Sequence, residues 1–289
     1  MNRNPRHDNS PPAKPGELEI EAGVPIPGII LEQEKWTKTG IKQLPAPNSV
    51  DWHEIFGRQA PWIVELGCGN GRFAVSSAVR HPEWDHMAVD ILPMVIRYAT
   101  RRGNQRGLNN VRFLVCGGSE FIRDYFADGT IHQLHIYHPQ PYREPGQEQK
   151  RLLSPEFLIL AHRRLVAGGT FFFQTDNPAY WSYFQKAVGA LFEITATPES
   201  WEEDPKGRTR REIVAKSQGL SIFRAVATKV DVDETTYASY LQSAPSSEFD
   251  AMDAHPQRGS RSPIGRQHGG RQHGGRQNRG RPPRRGRRR

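Results

Sequence analysis

Seven consecutive residues, Glu65-Leu66-Gly67-Cys68-Gly69-Asn70-Gly71, combine an acid with three alternating glycines, and a second acid, Asp90, follows 25 residues after Glu65. Glycine at 67 and 69 lets a backbone turn sharply and approach a ligand closely, and a helix starting after Gly71 presents free N–H groups there. A dinucleotide-binding turn spells G-x-G-x-x-G with a small third residue, but position 72 holds Arg72, which would obstruct that close helix-to-strand packing. A carboxylate two residues ahead of the first glycine suits a cationic ligand and would repel a pyrophosphate. The other reading of this stretch is a tight structural turn with an incidental acid. Further along, His138-Pro139-Gln140-Pro141-Tyr142 forms a loop stiffened by two prolines, which suits residues that must hold a base in attack geometry.

These residues need a scaffold, and the apolar pattern supplies one. Trp62 to Leu66 reads as a strand and Arg72 to Arg80 as a helix stopped by His81-Pro82,. Strand and helix then alternate: strand 87–90, helix 93–102, strand 111–116, helix 119–126, strand 134–137. Ser154 caps a helix over 155–165, Gly168-Gly169 follows it, and strand 170–175, helix 178–190, a strand near 192–197, a polar loop and strand 221–229 complete the series,. Such an order predicts an α/β fold with a mainly parallel sheet, helices on both faces, and a final antiparallel edge hairpin. Both the glycine turn and the His138 loop fall at carboxyl ends of strands, where open α/β sheets bind ligands.

The glycine turn resembles the class I methyltransferase fingerprint E/D-x-G-x-G-x-G. That resemblance implies a Rossmann-like, seven-stranded sheet and S-adenosylmethionine as cofactor, whose sulfonium and ammonium charges match Glu65. It also implies that Gly67 and Gly69 border the cofactor, that Asp90 accepts hydrogen bonds from its ribose, and that Gly118 and Gln140 stand at the remaining cofactor positions. A closer resemblance rests on Phe56-Gly57-Arg58-Gln59-Ala60-Pro61, His138 to Tyr142, Gln149-Lys150-Arg151-Leu152, Gly168-Gly169, Thr175-Asp176-Asn177, Thr209-Arg210-Arg211-Glu212 and Gly219 to Ala225. In order and spacing these motifs, over about residues 52–229, are similar to those of the tRNA (guanine-N7)-methyltransferase family.

Membership implies methyl transfer to a tRNA guanine, in that family the variable-loop guanine. Guanine N7 carries a lone pair and no proton, so positioning rather than a general base does most of the work. The family's guanine contacts fall on Asp176, Thr209 and Glu212, with Glu144 also at a substrate position, and Gln140 and Asp176 are the expected catalytic pair. Asp176 also reads as a helix cap ahead of Asn177-Pro178, Thr209 and Glu212 as an exposed polar loop, and Tyr142 as an aromatic wall or a core ring. The chain departs from the family pattern where Gln140 replaces Asp, Glu144 replaces Lys, and Gly118 stands where an acid is expected. A remodelled active site, a non-catalytic RNA-binding relative, and a methyltransferase for another nucleobase or a small molecule therefore all fit the sequence. Cys68 reads as a packed thiol, and His135 and His138 as burial and loop residues, with no metal site expected.

The formal charge of +9 is unevenly placed. Residues 258–289 contain 12 Arg and no acid, leaving the other 257 residues at −3. Within this tail Arg266 to Gly270 and Arg271 to Gly275 are identical RQHGG units. Arginine offers bidentate phosphate contacts and stacks on bases, so the tail reads as an RNA-binding segment, one that also fits a nuclear address. Lys150-Arg151 and Arg208 to Arg211 read as local phosphate patches. The expected organisation is a disordered Pro-rich segment over 1–28, a methyltransferase domain over 29–243 and a disordered Arg/Gly tail over 244–289. Two cysteines and no apolar run long enough for a span or signal peptide fit a cytoplasmic protein,; a protein partner is not legible.

Overall fold

A computed structural model describes residues 12–44, 46–48, 50–144 and 146–251. The Arg/Gly repeats lie outside the described residues. In chain order the elements are β1 (Leu18–Glu21), β2 (Val24–Ile29), α1 (Trp52–Phe56), β3 (Trp62–Leu66), α2 (Arg72–Arg80), β4 (Asp85–Asp90), α3 (Pro93–Gln105), β5 (Val111–Val115), α4 (Gly118–Tyr125), β6 (Ile131–Tyr137), α5 (Pro155–Arg164), β7 (Leu165–Thr175), α6 (Pro178–Val188), β8 (Phe192–Ala196), α7 (Arg210–Ser217), β9 (Phe223–Lys229) and α8 (Glu234–Ser243). Seven strands form one sheet in the order β5-β4-β3-β6-β7-β9-β8. The first five run parallel, and β9 is antiparallel to both β7 and β8. The expected α/β architecture with an antiparallel edge is the one observed.

β3 is buried along its whole length because it lies at the centre with helices on either face,. Its side chains divide between two cores: Val64 and Leu66 pack with Leu134, Phe157 and Phe173, while Ile63 joins Phe73, Tyr137 and Trp201. The strand order reverses between β3 and β6, so the loops after these two strands open onto the same crevice.

Caps fix the helices that border this crevice. Ser154 accepts from Phe157 N ahead of Pro155, and Asn177 accepts from Tyr180 N at 2.8 Å ahead of Pro178. Asn177, not Asp176, therefore caps α6, which leaves the Asp176 carboxylate for other contacts.

Two boundaries differ from the sequence expectation. Within 1–28, residues 18–29 form an antiparallel hairpin turned by Ala22 and Gly23, both at positive φ, as a two-residue hairpin loop requires. Fully buried Ile26 packs it against the core beside Val75 and Ala78, and charge anchors its rim. Arg102 contacts both Glu19 and Glu21 at 2.8 Å, Arg106 contacts Glu19 at 3.2 Å, and buried Arg72 donates to the carbonyls of Val24 and Pro25. At the other boundary, residues 244–251 belong to the domain: Arg151 donates to Ser247 O, and Asn177 to Ala251 O. No helix among the described residues is long and apolar enough to cross a membrane.

Candidate active site

The glycine turn leaves β3 with Gly67, Gly69 and Gly71 all at positive φ. A Cβ at Gly67 or Gly69 would meet nothing within 4 Å, so these two face open space, whereas at Gly71 it would lie 2.6 Å from Ala99 Cβ. The first two glycines therefore border a cavity, and the third lets α2 approach α3. Arg72 does not obstruct packing as a dinucleotide comparison suggests, because its buried guanidinium is taken up by the carbonyls of the hairpin. Asn70 donates to Glu21 Oε1 at 2.6 Å, which ties the hairpin to the turn itself.

Glu65 is 3% exposed, and its Oε2 is buried without a hydrogen-bond partner among the described residues. Burial, aided by the Asp90 charge, pushes its pKa up to about 8 against the lowering effect of the Ala74 amide and Arg208. Burial also pushes the neighbouring Cys68 thiol well above its usual range, so it behaves as a packed thiol.

The loop after β6 is strained. His138 and Tyr142 adopt φ of 51° and 42°, conformations that ordinary residues enter only when their surroundings impose them. Arg151 imposes part of this: its guanidinium donates to Pro141 O at 2.7 Å and Tyr142 O at 3.1 Å, over the ring of Phe249. With only 5% exposure, Arg151 is a structural clasp rather than the phosphate contact its neighbourhood in sequence suggests. Arg208, also expected in a phosphate patch, is likewise buried, donating to Tyr137 Oη at 2.8 Å.

Asp176 Oδ1 accepts from His138 Nδ1 at 2.9 Å and Oδ2 from Arg211. Burial alone would raise its pKa, but the His138 and Arg211 contacts outweigh that and hold it well below the usual carboxylate range.

A cavity of about 1380 Å³ joins these pieces, walled by the glycine turn with Glu65, the His138 loop with Gln140, Tyr142 and Glu144, Asp176, the start of α7 with Thr209, and the hairpin. Small-molecule sites span roughly 300–1,000 Å³, so this space exceeds the need of one ligand. Glu144 sits on the wall as an acceptor from Gln147 at 2.5 Å.

Three expected positions differ. Glu212 is 0% exposed and does not reach the cavity; it accepts from Arg208 N at 2.7 Å, Gln174 Nε2 at 3.2 Å and Arg224 Nη2 at 2.5 Å. The expected polar loop is instead α7, with Thr209 as its cap accepting from Glu212 N, and this capping carries Glu212 inward. Asp90 is not among the residues walling this cavity; its oxygens accept from Gly69 N and Leu92 N, both at 2.9 Å. Gly118 is also off the wall, and a Cβ there would press on Leu66 at 3.2 Å. Sequence reasoning missed Glu19, Glu21, Gln174, Trp201 and Arg224; the Thr-x-x-Glu spelling at 209–212 is itself a helix-start signal.

The residues present fit S-adenosylmethionine. The buried, unpartnered Glu65 Oε2 is an acceptor awaiting a donor, and the open faces of Gly67 and Gly69 leave a cradle that a Cβ would fill. A pyrophosphate has no such complement at Glu65.

Comparisons with known proteins agree with a methyltransferase fold. The sequence model of a family described as "Putative methyltransferase" matches residues 59–225. A protein of Alkalilimnicola ehrlichii named tRNA (guanine-N(7)-)-methyltransferase is 26% identical over 185 residues, covering 64% of this chain and 78% of its own. One of the same name from Halalkalibacterium halodurans is 28% identical over 208 residues, covering 68% and 94%. Among solved structures, the 16S rRNA methyltransferase KamB superposes with a TM-score of 0.51 at 13% identity, over 67% of this chain and 99% of that one, which speaks to the fold alone.

Proposed function

The chain belongs to the tRNA (guanine-N7)-methyltransferase family, and from that membership we propose that it methylates N7 of a guanine in tRNA, by family resemblance the variable-loop guanine. The observation that carries the reading is that one cavity is walled by both the Glu65 glycine turn and Asp176. An acceptor for a cationic cofactor and an acceptor for a base edge thus open onto the same space.

S-adenosylmethionine supplies, when bound, a methyl group activated by its sulfonium. Glu65 binds the cofactor's positive end, and Gly67 and Gly69 let the backbone approach it. Asp176, held ionised by His138 and Arg211, accepts from the N1–H and N2–H donors of guanine and so orients N7. The methylated purine carries a positive charge, which the same carboxylate stabilises. Gln140 contributes an amide rather than a charge, and Tyr142 offers an aromatic wall. Thr209, Glu144 and Arg211 border the same space. The Arg-rich segment beyond residue 257 supplies phosphate contacts without choosing the target base, and the enzyme works in the cytoplasm with its tRNA.

The test is transfer of labelled methyl from S-adenosylmethionine to unmodified tRNA, followed by mapping of the modified base. Label at guanine N7, abolished in Asp176→Ala with cofactor binding intact, is the expected result. Label on another base, or cofactor binding with no transfer, overturns the reading.

A further inference from the structure

We propose that Trp201, Gln174 and His138 form a positioning relay that selects one tautomer of His138 and thereby orients Asp176 toward the guanine; this rests on the reading above that Asp176 contacts the base. The relay follows from donor and acceptor identities. The indole Nε1–H of Trp201 can only donate, and it meets Gln174 Oε1. That contact fixes the amide orientation, so the Gln174 NH2 group points its two hydrogens at Glu212 Oε2, 3.2 Å away, and at His138 Nε2, 2.6 Å away. A ring nitrogen that accepts is bare. The His138 proton therefore sits on Nδ1, which donates to Asp176 Oδ1 at 2.9 Å.

Every member is held from more than one side. Gln174 is 0% and Trp201 3% exposed, so water does not compete for the amide. Glu212, fixed by Arg224 and by the Arg208 amide, blocks the flipped amide, which would set Gln174 Oε1 against its carboxylate. The His138 N–H donates to Gln174 O at 2.6 Å, so one residue steers both the backbone and the ring of His138. The other tautomer would aim the Nδ1 lone pair at the Asp176 carboxylate, and the repulsion would turn Asp176 away from its place on the cavity wall. Each Asp176 oxygen has one lone pair engaged by protein and another open to a base,.

The test uses the full-length protein and two amide stand-ins. In His138→Asn the side-chain nitrogen takes the place of Nδ1 and can still donate to Asp176, and Asn tolerates the left-handed backbone at 138. In His138→Gln the nitrogen takes the place of Nε2 instead. His138→Asn should keep tRNA methylation close to wild type. His138→Gln should lose about 10- to 100-fold in kcat/KM for tRNA, the scale of one charge-assisted hydrogen bond, with the loss mainly in KM and with S-adenosylmethionine affinity unchanged. Separately, long-range 1H–15N spectra of the labelled protein should show His138 protonated at Nδ1 and bare at Nε2.

Wild-type His138 protonated at Nε2 overturns the relay whatever the kinetics. Equal transfer by His138→Asn and His138→Gln, in an enzyme that Asp176→Ala inactivates, also overturns it while leaving the reading of Asp176 intact. Full transfer by Asp176→Ala removes the premise and the relay's role together.

Discussion

Glu212 and Arg224 form a sealed ion pair: Glu212 Oε1 accepts from Arg224 Nη2 at 2.5 Å, with the two side chains 0% and 3% exposed. Two charges taken this far from water are stable only as a pair, and removing one partner costs about 3–5 kcal/mol. Glu212→Ala should therefore lower the unfolding free energy by about that amount, because among the described residues Arg224 keeps only the Glu199 and Ile222 carbonyls,. Thermal and urea unfolding measure it. An unchanged melting temperature combined with lost tRNA affinity would instead make Glu212 a direct contact to the base.

Glu65 gives a pH dependence whose sign is fixed. Its pKa in the free protein is raised from 4.5 to about 8, so at neutral pH the carboxyl is protonated, whereas a cationic ligand favours the ionised form. Cofactor binding below pH 8 therefore releases a proton, and affinity should rise with pH, approaching tenfold per unit, before levelling off above about 8,. The same shift means the folded, cofactor-free chain binds this proton more tightly than the unfolded one, so Glu65's contribution to stability falls as pH rises from 4.5 to 8,. Calorimetry at pH 7 in buffers of different ionisation enthalpy counts the released proton. Glu65→Gln should abolish both the release and the slope, and pH-independent wild-type binding would show that Glu65 does not meet the cation.

The parts of this site legible in the sequence are those that local rules write down. The β3 apolar run, the glycine turn and the alternation of strand and helix follow from periodicity and backbone sterics, and Asp176 follows from its motif. What escaped depends on partners distant in the chain. Glu212 looks like a polar loop residue until α7 folds and Arg224, 12 positions later, meets it. Arg151 looks like a surface cation until the Pro141 and Tyr142 carbonyls close around it. The hairpin was hidden by its proline-rich context, although Leu18-Glu19-Ile20-Glu21 alternates with period two ahead of an Ala-Gly turn,.

Arg151 should behave as a clasp and not as a phosphate ligand. Its fork reaches Pro141 O, Tyr142 O and Ser247 O, and a lysine keeps the charge without that geometry. In Arg151→Lys the loop is free to leave the left-handed conformations at His138 and Tyr142, each of which stores roughly 1–3 kcal/mol. Methyl transfer should fall by about tenfold or more, and the loop around residues 138–147 should become more sensitive to protease. The salt dependence of tRNA binding should stay as in wild type. Normal kcat with a shallower salt slope would return Arg151 to the role of phosphate contact.

The proposed part of the C-terminal segment in phosphate attraction rests on the charge distribution. Residues 258–289 carry 12 Arg and no acid, and the remaining 257 residues sum to −3. Arg151 and Arg208 are also taken up internally, which leaves the domain with less cationic surface than its sequence suggests. Deleting 258–289 should therefore weaken tRNA binding most at low salt and flatten the plot of log affinity against log salt by roughly 0.7–0.9 for each phosphate no longer neutralised. Saturating tRNA should restore kcat, since the base-positioning residues lie within the domain, and the two proteins should converge in affinity as salt rises. An unchanged slope after deletion would place the phosphate contacts on the domain and leave the arginine segment without a part in tRNA binding.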